Sequence, residues 1–161
     1  MGRVVIIGFM ACGKSWWSKK LSESLQIPMY EIDDIIIETE NRTIREIFTE
    51  EGEAYFRNQE EKALQSLPLD CIVSTGGGVV EREPNRNWLK KPENFTIWLS
   101  VPFQQCYSQL VVGDNRPQLT RKKLEEMWRF RQPLYRECAD TELQLITLDK
   151  LISTIKRRKH V

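Results

Sequence analysis

The sequence predicts an α/β protein, a three-layer α/β/α fold around a five-stranded parallel sheet. Three observations carry that expectation. Strand-like and helix-like stretches alternate along 161 residues, which implies right-handed crossovers and a sheet covered on both faces. After Arg3, the run Val4-Val5-Ile6-Ile7 is apolar and β-branched throughout, as a strand buried on both sides must be. It feeds Gly8 to Ser15, GFMACGKS, which fits G-x-x-x-x-G-K-[ST] and opens a proline-free helix over Lys14 to Leu25.

The remaining elements follow in order. Ile27 to Ile32 reads as a short second strand ending at Asp33-Asp34, with a helix over Ile35 to Glu40. Thr43-Ile44-Arg45-Glu46 has the capping-box pattern and starts a short helix that Gly52 closes. Glu53 to Leu67 is charged and periodic, hence helical, and Pro68 stops it. Cys71 to Ser74 is a third strand running into Thr75-Gly76-Gly77-Gly78, and after a further helix and Pro92, Phe95 to Leu99 is a fourth. Pro102 suits the first turn of a helix that reaches about Val112. Residues 113–122 are polar and rich in breakers, a candidate lid. Lys123 to Cys138 is helical with a kink expected at Pro133, Glu142 to Ile146 is a fifth strand, and Leu148 to Lys159 a last helix.

Length and composition narrow the class. One domain over residues 1–161 is the simplest organisation, and such a chain buries roughly 70% of its unfolded surface. The net charge of +1 offers no field to steer nucleic acid or an anionic membrane. Cys12, Cys71, Cys106 and Cys138 lack any C-x-x-C pair, which argues against zinc and a disulfide framework and suits small core positions in a reducing compartment. Cys12, inside the glycine loop, is a candidate exception and a reactive thiol. No apolar stretch is long enough to span a bilayer, and the immediate entry into a strand leaves no room for a signal peptide. A cytoplasmic monomer is expected.

The candidate chemistry is phosphoryl transfer, which needs held phosphates, a metal, an in-line hydroxyl and cations that follow the charge. Backbone N–H groups of Ala11, Cys12, Gly13, Lys14, Ser15 and Trp16 would cradle phosphates at a helix N-terminus. Lys14 would reach the β- and γ-phosphates and the Ser15 hydroxyl would ligate Mg²⁺. In open parallel sheets ligands bind beyond the strand carboxyl ends, so Gly8–Ser15, Asp33-Asp34 and Gly76–Gly78 should line one crevice. Either acid of the Asp33-Asp34 pair could orient an acceptor hydroxyl and take its proton, or simply cap a helix. Arg57 could serve a ligand or pair with Glu60 or Glu61 at helical spacing. Three successive glycines would let a ligand approach bare backbone. Arg116, in the candidate lid, could stabilise the transition state on closure, and Arg131 could clamp a carboxylate, in competition with Arg129 and Arg136. His160 and the basic residues Lys156 to Lys159 read as a solvated helix end.

Taken together these residues resemble the shikimate kinase family, small P-loop kinases of the nucleoside-monophosphate-kinase type. The phosphate loop, the acidic strand end, F-R-x-x-E (Phe56, Arg57, Glu60), the triple glycine, R-P-x-L (Arg116 to Leu119) and R-x-P-L-Y (Arg131 to Tyr135) occur in the family's order and approximate spacing. The resemblance implies a sheet order of 2-3-1-4-5, substrate-binding helices over about 33–62, and ATP-dependent phosphorylation of the shikimate 3-hydroxyl on the route to chorismate. It implies that Asp34 holds the acceptor hydroxyls and acts as base. Arg57 and Arg131 would clamp the shikimate carboxylate with help from Gly76, Gly77 and Gly78, and Arg116 would contact ATP phosphates.

Some positions depart from the family. Ala11 stands where a further glycine is usual, tolerable where its φ is negative, and Trp16 stands where threonine is frequent. Ile32 occupies the place of the first Asp of a D-x-D pair that assists Mg²⁺, so Asp33 is its nearest replacement. The segment from Arg116 to Arg131 is a few residues short, and Gln109 sits near where an arginine often stacks on adenine. Two other readings compete: a gluconate-type kinase of the same fold, and a catalytically silent nucleotide-binding relative.

Overall fold

Strands β1 (Arg3–Ile7), β2 (Met29–Glu31), β3 (Ile72–Ser74), β4 (Asn94–Leu99) and β5 (Thr141–Leu143) form one sheet in the order β2-β3-β1-β4-β5. Every neighbouring pair is parallel, with Val5 of β1 opposite Val73 on one side and Thr96 on the other. The computed structural model describes residues 2–112 and 119–158. Its helices are α1 (Lys14–Leu25), α2 (Ile32–Glu40), α3 (Ile44–Glu51), α4 (Glu53–Gln65), α5 (Glu83–Leu89), α6 (Phe103–Val112), α7 (Arg121–Cys138) and α8 (Leu148–Arg158). The expected fold class and strand order both hold.

The core lies where the central strands meet helices on both faces. Val5, Ile6 and Ile7 of β1 and Val73 of β3 are wholly buried, as their continuous β-branched character requires. Each such side chain contributes about 1.5–3 kcal/mol by leaving water. The capping box forms as read: the Thr43 hydroxyl accepts from the Glu46 N–H at 3.1 Å, and the Glu46 carboxylate accepts from the Thr43 N–H at 2.8 Å.

Several boundaries differ from the sequence reading. Helix α2 begins at Ile32 rather than Ile35. Ile32 and Ile36 are one helical turn apart and both buried, while Asp33 and Asp34 in the first turn suit the positive end of the dipole. Strand β2 therefore stops at Glu31. Helix α4 ends at Gln65, because the Ser66 hydroxyl donates to the Ala63 carbonyl at 2.7 Å and turns the chain. An unanticipated 3₁₀ turn, Val79–Glu81, follows the glycines. Helix α7 starts at Arg121, where the Thr120 hydroxyl accepts from the Lys123 N–H, and it runs on through Pro133. Residues 121 and 122 thus belong to a helix. Strand β5 is Thr141–Leu143 rather than Glu142 to Ile146, anchored where the Asp140 carboxylate accepts from the Thr96 N–H at 2.8 Å. Residues 113–118 of the expected lid, with Arg116, and the terminal Lys159 and His160 lie outside the described residues.

Candidate active site

The loop between β1 and α1 is held by its own lysine. Lys14, 9% exposed, donates from Nζ to the Gly8 and Phe9 carbonyls at 2.8 Å each, with Cys12 Sγ at 3.9 Å. The ammonium thus sits across the loop, beside the amides that open α1. Gly13 caps that helix at φ 99°, a left-handed conformation that glycine adopts without a Cβ clash. Ala11 is also left-handed, at φ 60°, so the negative angle that would make it readily tolerated is not the one it adopts. That conformation costs an L-residue about 1–2 kcal/mol. Cys12 is buried at 6% exposure, and Trp16 is 57% exposed with its ring edge-on to Trp17. The other three cysteines are core thiols; burial pushes Cys106 up to about 12 and Cys138 up to about 11.

The acidic strand end is sorted by the early start of α2. On a helix, successive residues point about 100° apart, so Asp33 and Asp34 cannot share a direction. Asp34 is exposed, whereas Asp33 is half-buried and its Oδ1 lies 3.6 Å from where a Gly76 Cβ would stand. The acid turned toward the glycine loop is therefore Asp33, whereas Asp34 faces solvent. Glu31, the last residue of β2, was passed over. Burial raises its pKa, the Ser15 and Ser74 hydroxyls act to lower it, and the Asp33 and Asp34 charges add to the rise. Glu31-x-Asp33 keeps an acid-x-acid spacing one residue earlier than the pair read from the sequence, and that spacing was the available signal.

The third part of the site is a pair of buried guanidiniums. Arg57 on α4, 8% exposed, donates from Nη1 to both carboxylate oxygens of Glu60 at 3.0 and 3.2 Å, and from Nη2 to Glu81 at 3.2 Å. The helical-spacing pairing with Glu60 is real, but Glu60 is wholly buried, unlike a surface pair. Burial raises the Glu60 pKa while Arg57 opposes the rise. Burial of Arg57 itself works against its charge, yet Glu60, Glu81 and Glu53 together raise its pKa. Asn85 Nδ2 donates to Glu60 at 3.2 Å.

Arg131 on α7 is 4% exposed and lies over the Phe9 ring of the phosphate loop at 5.8 Å. Its rivals point elsewhere: Arg129 pairs with Glu125, and Arg136 lies over the Trp98 ring. Arg131 Nε and Nη1 and Arg57 Nε are buried donors with no acceptor among the described residues.

The glycines after β3 join these parts. A Cβ on Gly77 would meet the Met10 amide of the phosphate loop at 3.1 Å and Arg131 Nη1 at 3.2 Å. On Gly78 it would overlap the Arg57 guanidinium, 2.1 Å from Nη2, so only glycine admits that cation. The Tyr135 hydroxyl donates to the Gly77 carbonyl at 2.6 Å and binds α7 to the turn. Phosphate loop, Asp33, Arg57 and Arg131 meet around the triple glycine, whereas Arg116 lies outside the described residues. A separate cleft of about 480 Å³ at the opposite ends of β1 and β4 has its two arginines, Arg3 and Arg158, donating to the backbone carbonyls of Leu67, Pro68, Pro92 and Asn94.

A hydroxyl and carboxylates beside a phosphate cradle form a hard oxygen donor set of the kind Mg²⁺ accepts. Two converging guanidiniums match a planar carboxylate. Known proteins resemble this chain in sequence and fold. The family model described as shikimate kinase matches residues 10–155. A shikimate kinase from Streptococcus suis is 37% identical over 164 residues, which is 97% of this chain and 96% of that one. The solved structure of shikimate kinase from Acinetobacter baumannii in complex with shikimate aligns with a TM-score of 0.92 at 28% identity, covering 99% of this chain and 95% of that chain. Shikimate kinase from Aquifex aeolicus aligns at 0.76, also 28% identical, over 98% and 96%. A gluconokinase from Sinorhizobium meliloti, 14% identical at a TM-score of 0.56, shares the fold alone.

Proposed function

The chain belongs to the shikimate kinase family, and we propose a division of labour among its residues for transfer of the ATP γ-phosphoryl group to the 3-hydroxyl of shikimate. It is an ATP-dependent phosphotransferase with an alcohol acceptor. The observation that carries the division is the convergence of Asp33, Arg57 and Arg131 on the glycines that abut the phosphate loop.

Amides from Ala11 to Trp16 bind the phosphates, and Lys14 exchanges its carbonyl partners for phosphate oxygens. Arg131 and Arg57 bind the shikimate carboxylate, with Gly77 and Gly78 leaving the room, which fixes the ring and aims its 3-hydroxyl. Asp33 accepts the hydroxyl proton as the oxygen–phosphorus bond forms and the bond to the ADP oxygen breaks. Arg116, from the lid segment, adds positive charge near the transferring group.

Ser15 would hold Mg²⁺ directly, and Glu31, beside that hydroxyl, would take the outer shell in place of an aspartate two residues before Asp33. When bound, Mg²⁺ supplies neutralisation of the β- and γ-phosphate oxygens. We further read the protein as a cytoplasmic monomer of one domain. Elution as a single chain in gel filtration tests the monomer.

The experiment is a coupled assay of ADP release with shikimate, quinate, gluconate and nucleoside monophosphates. Shikimate alone should give turnover above background, and folded, ATP-binding protein that is silent with shikimate would end the proposal. Asp33→Asn should lower kcat by about 10²–10⁴, the usual worth of a general base, while Asp34→Asn changes it less than about twofold. The reverse order would restore Asp34 as the base.

A further inference from the structure

Glu81 closes the 3₁₀ turn after the triple glycine, and its Oε2 accepts from both guanidiniums of the clamp, Arg57 Nη2 at 3.2 Å and Arg131 Nη2 at 3.5 Å. The backbone beneath it is pinned, because Arg86 donates to the Val80 and Glu81 carbonyls at 2.9 and 3.0 Å. Its side chain is not: Glu81 is 23% exposed, against none for Glu60. One carboxylate oxygen thus bridges the two cations that a small acid would need.

The charges set up a competition. Two guanidiniums face Glu60, Glu81 and, through Arg57, Glu53, with Asp33 also acting on Glu60, so the nearby acids already outnumber the two cations. A ligand carboxylate arriving on Arg57 and Arg131 meets a like charge unless one acid withdraws. Glu60 cannot withdraw, since it is wholly buried, gripped on both oxygens and bonded to Asn85. Glu81 can rotate into water at small cost, because only one oxygen is engaged and one of its two bonds is at the length limit.

We propose that Glu81 is a built-in rival of the substrate carboxylate: it occupies Arg57 and Arg131 in the free enzyme and releases them when the acid binds. It sets affinity for the acid and takes no part in phosphoryl transfer. The inference rests on the assignment of Arg57 and Arg131 to the shikimate carboxylate.

The test compares Glu81→Gln and Glu81→Ala with the unmodified chain at saturating MgATP. Both variants should lower the shikimate KM roughly 5-fold, the equivalent of one partly exposed charge pair, with kcat and the ATP KM unchanged. Calorimetric titration of shikimate without nucleotide should show the same fall in Kd. A KM that rises or stays level in either variant overturns the rival role, and a rise reached through a lower kcat marks Glu81 as a support of the clamp instead. If the unmodified enzyme binds no shikimate in the titration, the carboxylate assignment itself has failed, which is a different result from a titration that succeeds and ignores Glu81.

Discussion

The phosphate loop draws its donors from the backbone of one contiguous octet, whereas the acid clamp gathers side chains from α4, the turn after β3, and α7, from Arg57 to Arg131. The loop therefore tolerates unusual side chains, Ala11, Cys12 and Trp16, provided the backbone angles are kept. The clamp has the opposite tolerance. Its backbone is ordinary, but each carboxylate and each missing Cβ is constrained by a neighbour. Backbone sites are written locally and fail through strain; side-chain sites are written at long range and fail through unpaired charge.

That contrast is broken most severely at Arg57. Arg57→Ala leaves Glu60 wholly buried without its cation, a loss of about 3–5 kcal/mol in urea unfolding. Arg131→Ala leaves Glu81 its shorter bond to Arg57, and should raise the shikimate KM at much smaller cost in stability. The sign with pH follows from Glu60. Its folded pKa lies above its ordinary 4.5 although Arg57 opposes the rise, so removing Arg57 raises it further. The deficit of Arg57→Ala should be greatest at high pH, lessen as pH falls through the variant's pKa, and be smallest below the folded pKa of the unmodified chain. An equal deficit at pH 4.5 and 7.5 would mean that cavity formation, not charge, dominates.

A smaller effect is expected at Gly78. Gly78→Ala places a methyl 2.1 Å from Arg57 Nη2 and must push the guanidinium off its carboxylates. Overpacking of this kind costs about 1–3 kcal/mol. The shikimate KM should rise at least about tenfold through displacement of Arg57, with the ATP KM unaltered. Matched rises in both constants would show that turn and phosphate loop respond as one unit.

The smallest effect sharpens the loop side. Ala11→Gly removes a left-handed penalty of about 1–2 kcal/mol, offset by the greater freedom of glycine in the unfolded chain. A net gain below about 1 kcal/mol should appear as a higher Tm, together with an unchanged or tighter ATP Kd. A lower Tm would show that the loop holds Ala11 without strain.

The phosphate loop, the strand alternation and the capping box at Thr43 were legible from residues alone, because each depends on neighbours within about four positions. The glycine triplet was legible as a ligand-facing turn, although the reason for Gly78 in particular was not. It lies in a guanidinium delivered from a helix 21 residues earlier in the chain, 78 minus 57. Glu31 and Glu81 were passed over for the same reason. An acidic residue at a strand or turn end is unremarkable until Ser15 or two arginines are seen beside it.

By itself the sequence determined the parallel sheet, its phosphate cradle and the family, since periodicity and contiguous motifs need no knowledge of distant partners. The tertiary structure alone turned Asp33 rather than Asp34 toward the glycines, buried Arg131 while Arg129 and Arg136 meet other partners, and placed Glu81 against both guanidiniums. The physical reason is helical phase. The burial of Ile32 starts α2 three residues early, and each residue of shift turns a side chain by about 100°. Which acid faces the crevice is thus settled by what the core requires of its neighbour.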